Sequence, residues 1–472
     1  MAQGGDRLTT MARQIRLNAF AMNTPGHMAP GLWHYPGNRT AEYNTLAYWT
    51  DLAKLLERGK FDGVFLADVL GVYDVYQGTA DHALRHAAQV PVNDPLLVIP
   101  PMATVTEHLC FGVTSSTAFE HPYPFARRMT TLDHLTKGRA GWNVVTSYLE
   151  SGAKNTGHAA QGAHDDRYDI ADEYMEVCYK LWEGSWQDGA NARDRRTGVF
   201  TDPARVHPIA HAGKHYTVPG FHICEPSPQR TPVIYQAGAS SRGRQFAARH
   251  AECVFVGAAT IPILKSYTTR LRELVAAQGR DPRDVLVFNM QTVLLGETDA
   301  EAERKAAAYR EWFSYDGALS LLSGWTGIDL GKYQPDEKLR YVKTNAGQSA
   351  IEGFSTADPA RAWTIRELAE WCAIGGRGPV LVGSPATVAD KLQEWLEDGD
   401  CDGFNLSFAI APGNFEDVVE LLIPELQKRG VFKRDYAPGT MREKFFGQGP
   451  RLKATHVGST YRDLSRLGKA AE

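Results

Sequence analysis

Eight short runs rich in β-branched and aromatic residues punctuate the chain, at 15–20, 63–67, 109–117, 140–146, 232–236, 253–257, 285–295 and 403–408. Most are apolar almost without a break, as in parallel strands covered on both faces. Between them the spacing turns helical. Stretches 43–58 and 125–135 place apolar residues three and four apart. From Tyr168 onward, Ala171, Tyr174, Met175, Cys178, Leu181 and Trp182 form one stripe. Phe415, Val418, Val419, Leu422 and Leu426 form another, closed by Lys428, Arg429 and Gly430, which suit a helix C-terminus. Strands alternating with helices predict βαβ units and a parallel sheet. With eight strands and no G-x-G-x-x-G turn after an early one, the α/β fold expected is a TIM-type (β/α)8 barrel, not an open doubly wound sheet.

Three connections are too long for simple loops: 71–101, 184–230 and 314–377, all rich in Gly, Pro, Asp and aromatics. Long loops in a compact domain usually serve function. The third, between strands seven and eight, is expected to cover the barrel mouth as a lid. The expected organisation is therefore one barrel with insertions over 1–432. A polar C-terminal arm, 433–472, would pack on the barrel or on a neighbouring subunit.

Composition changes this picture little. The 472 residues are 43% hydrophobic and 22% charged, with a formal net charge of -4. No global basic field argues for nucleic acid or an anionic membrane. Residues 1–20 hold no apolar stretch of signal-peptide length and no later run would span a bilayer, so a cytoplasmic location is expected. The six cysteines are scattered without C-x-x-C spacing and read as reduced thiols, Cys110, Cys178 and Cys253 as core residues.

Chemistry is expected at the C-terminal strand ends, the functional face of such a barrel. Asn23 and His27 follow the first strand, Asp68 ends the second, Thr114–Thr117 the third and Asn143–Tyr148 the fourth. After the fifth comes Gln236-Ala237-Gly238-Ala239-Ser240-Ser241-Arg242-Gly243, a small-residue turn leading into a helix. Its free N–H groups and the helix N-terminus suit a phosphate; the plainer reading is that Ser240 or Ser241 caps the helix. Asp68 reads as a pocket-facing acid or as an N-cap, and His27 as a functional or an ordinary loop histidine. No His–Asp–Ser arrangement and no metal-type H-x-x-x-H spacing stands out, so no metal is expected. Trp33, Tyr35, Tyr73, Tyr76, Phe119, Tyr123, Trp142 and Tyr148 crowd the predicted mouth, walls suited to a planar ligand. Arg127 and Arg128 are the few basic residues expected there, which favours a small neutral or apolar substrate.

Several ordered motifs carry a resemblance. They are Phe61-Asp62-Gly63-Val64-Phe65-Leu66-Ala67-Asp68, Val92-Asn93-Asp94-Pro95, Thr131-Leu132-Asp133-His134-Leu135-Thr136-Lys137-Gly138-Arg139, Trp142-Asn143-Val144-Val145-Thr146-Ser147, His164-Asp165-Asp166-Arg167-Tyr168 and Pro232-Val233-Ile234-Tyr235-Gln236-Ala237-Gly238. From about residue 15 to about 447 the chain resembles the bacterial luciferase-like, two-component flavin monooxygenases. It is most similar to the branch with nitrilotriacetate, dibenzothiophene-sulfone, dimethyl-sulfide and long-chain alkane monooxygenases.

The resemblance implies a TIM barrel, reduced FMN (FMNH2) from a separate NAD(P)H:FMN reductase, O2 as co-substrate, and a homodimer or homotetramer. It places Asp68 near the flavin ring; Thr114 and Asn143 are expected among the cofactor-binding residues from their places at the strand ends. Ser147, Tyr148 and Tyr168 flank the ribityl chain and phosphate, and Ala237, Gly238, Ala239 and Ser240 form the phosphate turn. His27, Tyr73 and Gln89 match catalytic, substrate-facing positions: His27 as a proton or hydrogen-bond donor, Tyr73 as an orienting hydroxyl. Thr24 stands where the alkane-oxidising branch has a cysteine, and no histidine stands near Ala318 and Leu321, where that branch has one. Both departures argue against alkane hydroxylation specifically. The expected function is oxygenation of a small, neutral organic molecule, an organosulfur compound such as a dialkyl sulfide being favoured. Alternatives are alkane or heteroaromatic hydroxylation, deazaflavin-dependent hydride transfer, or a non-catalytic flavin-binding barrel.

Overall fold

The structure is a computed structural model that describes residues 13–339, 346 and 363–468. Eight parallel strands close a barrel: β1 (Arg16–Met22), β2 (Gly63–Ala67), β3 (Cys110–Ser116), β4 (Ala140–Val145), β5 (Val233–Gln236), β6 (Cys253–Val256), β7 (Leu286–Leu295) and β8 (Gly403–Ser407). Each pairs with its sequence neighbours, and β8 returns to β1 with Arg16 opposite Gly403 and Ala19 opposite Leu406. All eight apolar runs thus form the expected strands. A ninth strand, Val380–Gly383, was not anticipated; it lengthens the sheet beside the upper half of β7, Val380 opposite Thr292 and Gly383 opposite Leu295. A small antiparallel pairing of His211–Ala212 with Thr217–Val218 lies inside the second insertion.

Among the described helices, those that bear on the site and the barrel's two ends are α1 (Leu46–Arg58), α2 (Asp81–Arg85), α3 (Pro122–Leu135), α4 (His164–Tyr179), α5 (Ser241–His250), α6 (Tyr315–Thr326) and α7 (Met441–Phe446). In α4 the stripe Ala171, Tyr174, Met175 and Cys178 is buried as its period requires. The layer between strands and helices forms the main core, with Trp142 against Phe125 (ring centroids 4.4 Å apart) and Trp182 (6.1 Å).

Inside the barrel, Tyr235 meets Phe65 edge-on and Phe288 at a tilt, and glycine makes room for Tyr235. A Cβ on Gly141 would lie 3.0 Å from the Tyr235 ring and 3.2 Å from Met441. Helix α7 stops the bottom of the barrel. Met441 N–H donates to the Gly138 carbonyl at 2.7 Å, and Arg442, only 2% exposed, binds Glu252 through Nε at 2.6 Å and Nη2 at 2.8 Å. Among the described residues the six cysteines are free thiols, and all but Cys224 are buried. No described helix is long and apolar enough to cross a membrane.

Candidate functional site

At the C-terminal ends of the strands lies a cavity of about 240 Å³. It is lined by His27, Asp68, Gln89, Thr114, Asn143, Ser147, Tyr148, Tyr168, Ala237, Gly238, Ala239 and Ser240, which the sequence scatters across more than two hundred positions. Of the catalytic and cofactor-binding residues that the resemblance implies, Tyr73 alone does not line it; Asn23 and Thr117, expected at strand ends, do not line it either. Tyr73 is fully buried behind the wall, donating to Gln89 Oε1 at 2.7 Å, lying 2.5 Å from the Tyr148 hydroxyl, and accepting from Trp325 Nε1 at 3.2 Å. Gln89 Nε2 in turn donates to the His27 carbonyl at 2.9 Å. Tyr73 therefore reaches the cavity only through its neighbours.

One end of the cavity is the turn after β5. Ser240 is the N-cap of α5, its Oγ accepting from Gly243 N–H at 3.0 Å, so the capping role is real. The turn also stays close to its neighbours. A Cβ on Gly238 would stand 2.2 Å from Gln236 Nε2 and 2.5 Å from the Tyr168 hydroxyl, so any side chain there would displace both groups. Arg242 is drawn away to Asp169 and Asp172, while Arg167, bound to the Gly162 carbonyl at 2.8 Å, lines the cavity beside Tyr168. Backbone amides, a helix N-terminus and a nearby guanidinium suit a phosphate monoester.

The other end is apolar. Phe20, Phe65, Phe255 and Met290 form its floor, and Trp325 and Arg377 from the third insertion a side, the Arg377 guanidinium over the Trp325 ring at 5.4 Å. The aromatic wall is thus not the one expected. Of the aromatics that the sequence places at the mouth, only Tyr148 lines the cavity; Trp142 faces the helices because side chains alternate along β4 and Asn143 takes the inward place. Nor are Arg127 and Arg128 at the mouth. Arg128 is paired with Glu120 on the outside, and among the described residues the guanidiniums lining the cavity are Arg167 and Arg377. Thr24 is buried with its hydroxyl donating to the Pro91 carbonyl, and Ala318 and Leu321 are fully buried; none of the three lines the cavity.

Electrostatics separate two of the lining groups. Burial pushes the Asp68 carboxyl up to about 7, Asp94 adding to the shift and the Val69 backbone opposing it. Burial pushes His27 down to about 3, offset only in part by the Phe20 carbonyl, so the imidazole is neutral near neutral pH. Its ring meets Phe20 edge-on at 4.4 Å, and neither nitrogen finds a partner at good hydrogen-bond geometry. Asn143 Oδ1 and Gln236 Oε1 are also buried without a partner, although Asn143 Nδ2 donates to Thr114 Oγ1 at 2.9 Å. Buried polar atoms left open at one cavity call for a ligand with a polar edge. A flat, polar-rimmed ring carrying a phosphate tail fits these residues, as FMN requires.

Ser116, within the strand end expected to carry chemistry, lines the cavity, and so do His164, Arg167, Trp325 and Arg377, which the sequence did not assign to the site. His164 and Arg167 belong to the motif 164–168, so both had a signal. Trp325 and Arg377 had none beyond lying in the third insertion.

A closed parallel barrel with its polar residues gathered at the C-terminal strand ends is a β/α-barrel enzyme. More narrowly, the chain belongs to the luciferase-like monooxygenase family, whose model matches residues 20–401. It is 51% identical over 454 residues to a dimethyl-sulfide monooxygenase of Hyphomicrobium sulfonivorans, spanning 96% of this chain and 95% of that one. It is 50% identical over 456 residues to a long-chain alkane monooxygenase of Geobacillus thermodenitrificans (strain NG80-2), spanning 96% and 99%. A solved structure of a riboflavin lyase with modified FMN and riboflavin superimposes with a TM-score of 0.90 at 37% identity, covering 95% of this chain and all of that one.

Proposed function

We propose that this protein is the oxygenase of a two-component system. A separate NAD(P)H-dependent reductase supplies reduced FMN, and one atom of O2 goes to a small neutral organic substrate while the other leaves as water. A dialkyl sulfide is the favoured substrate class, supported by the likeness to the dimethyl-sulfide enzyme and by the apolar floor of the cavity. The observation that carries the reading is that the anion-binding turn 237–240 and the unpartnered His27, Asn143 and Gln236 atoms share one cavity.

Reduced FMN, when bound, supplies the electrons and activates dioxygen. The chain's own residues do the rest. The 237–240 amides, the α5 N-terminus and Arg167 hold the phosphate, while Asn143 and Gln236 satisfy polar edges. Neutral His27 offers a hydrogen bond to the reacting oxygen and not a cationic acid, because burial keeps it unprotonated. The Tyr73–Gln89 pair holds the His27 backbone in place. Phe20, Phe65, Phe255 and Trp325 exclude water from the reacting end.

Oxygen uptake in the presence of reduced FMN tests this reading. Uptake coupled to dimethyl sulfide, with no product from long-chain alkanes, is the expected result. Product formed without oxygen uptake would favour hydride transfer, and flavin binding with no turnover of any substrate would favour the non-catalytic barrel. A Ser240→Asp protein should bind reduced FMN at least about tenfold more weakly, since the added carboxylate meets the phosphate; unchanged binding overturns the phosphate assignment.

A further inference from the structure

We propose that His82, His86 and Asp316 form a site for one divalent transition-metal ion, zinc foremost, which ties the first insertion to the third outside the flavin cavity. Their ligand atoms lie within 4.8 Å of one another, and none of the three lines the cavity. His82 stands on α2 and His86 is its C-cap, four positions on, so both imidazoles share one face. The H-x-x-x-H spacing that did not stand out in the sequence is therefore present, in a short helix within a stretch that reads as loop. Asp316 comes from the first turn of α6, and Gly317 permits the approach: a Cβ there would lie 2.9 Å from His86 Cβ.

The surrounding hydrogen bonds orient two of the three groups, Asp316 and His82, as ligands. The Tyr76 hydroxyl donates to Asp316 Oδ1 at 3.0 Å, which leaves Oδ2 facing His82. Gln77 Oε1 lies 3.2 Å from His82 Nε2. In the tautomer whose Nε2–H donates to that oxygen, the lone pair is on Nδ1, 3.6 Å from Asp316 Oδ2. Two electron-pair donors then face each other, an arrangement a cation between them satisfies. Ligands about 2.0–2.1 Å from a tetrahedral zinc stand roughly 3.3 Å apart, so this pair needs to close by only a few tenths of an ångström. The His82 and Asp316 side chains keep 22% and 44% exposure, enough for an ion to reach them, and a water would complete the shell.

The clamp would bear on the cavity wall from outside. Beyond His86 the chain passes through Ala87 and Gln89, both at φ +54, and delivers the Gln89 amide to His27 and Tyr73. On the other side α6 carries Trp325 to the cavity.

The test is zinc titration of the full-length, metal-stripped protein against a chromophoric chelator, with Co2+ as a spectroscopic probe. Expected are one zinc per chain, at least about tenfold weaker binding in His82→Gln, His86→Gln and Asp316→Asn, and visible Co2+ bands in the parent that the variants lose. Zinc should also raise the melting temperature of the parent and not of Asp316→Asn, a variant that keeps the acceptor for Tyr76. Equal zinc affinity in parent and variants, or a parent with no Co2+ bands of imidazole ligation, overturns the proposal; the second needs no variant to fold.

Discussion

Asp68 and His27 line one cavity and are moved in opposite directions by the same cause, loss of water around the charged form. For Asp68 the folded protein holds a proton that the unfolded chain gives up near pH 4. Its contribution therefore falls as pH rises from about 4 to about 7 and stays unfavourable above that. For His27 the unfolded chain takes up the proton first, so stability is lost as pH falls from about 6.5 towards 3. Replacing Asp68 by Asn should thus help more at pH 8 than at pH 4, read as the difference in denaturant midpoint between parent and variant. The same substitution should abolish any step near pH 7 in flavin affinity; a step that survives it belongs to another group. Tyr73→Phe removes a hydroxyl shared by Gln89, Tyr148 and Trp325 and should cost about 1–3 kcal/mol of stability. Acting through Gln89, it should lower kcat with little change in FMN affinity. At this scale the sequence was readable where a polar residue ends an apolar strand, as with Asp68 and Asn143. It was silent where a side chain arrives from an insertion without periodicity, as with Trp325 and Arg377.

Strands were the most legible elements because burial on both faces leaves an uninterrupted apolar signature, and the runs at 63–67 and 403–408 needed almost no adjustment. Val380–Gly383 escaped because it is four residues long and carries two half-exposed positions. The aromatic wall was misjudged for a related reason. Which of two neighbouring residues faces inward is a matter of pleat register, and composition does not carry it: Trp142 and Asn143 exchange roles under a one-residue shift. The β5–α5 turn was legible as a turn, but its tightness was not. Gly238→Ala should weaken FMN binding roughly tenfold or more, because the methyl displaces Gln236 and Tyr168. Equilibrium titration of the variant with reduced FMN measures this; near-parental affinity would mean that the turn relaxes without cost.

Across the whole molecule, the base of the barrel depends on residues far along the chain. Arg442 donates to both Glu252 carboxylate oxygens and to the carbonyls of Thr231, Pro232 and Pro450, joining the C-terminal segment to β5 and β6. Arg442→Ala would strand Glu252 as a buried, unpaired carboxylate, at a cost of about 3–5 kcal/mol in chemical denaturation. Adding Glu252→Gln should recover part of that loss, since the orphaned charge is what costs most. A tail of modest hydrophobicity did not announce this role, because a buried arginine and its acid look the same in sequence as a solvated pair.

The short strand beside β7 has a consequence for how such a protein diversifies. The third insertion leaves the barrel after β7 and is brought back by Val380–Gly383 onto the upper half of that same strand. Departure and return are anchored to one rigid element, so the intervening segment behaves as a cassette whose length and composition can drift while the hydrogen-bonded frame persists. Because the described residues of that segment supply Trp325 and Arg377 to the apolar end of the cavity and none to the phosphate turn, exchanging it between relatives is a route to new substrate preference with an inherited cofactor site.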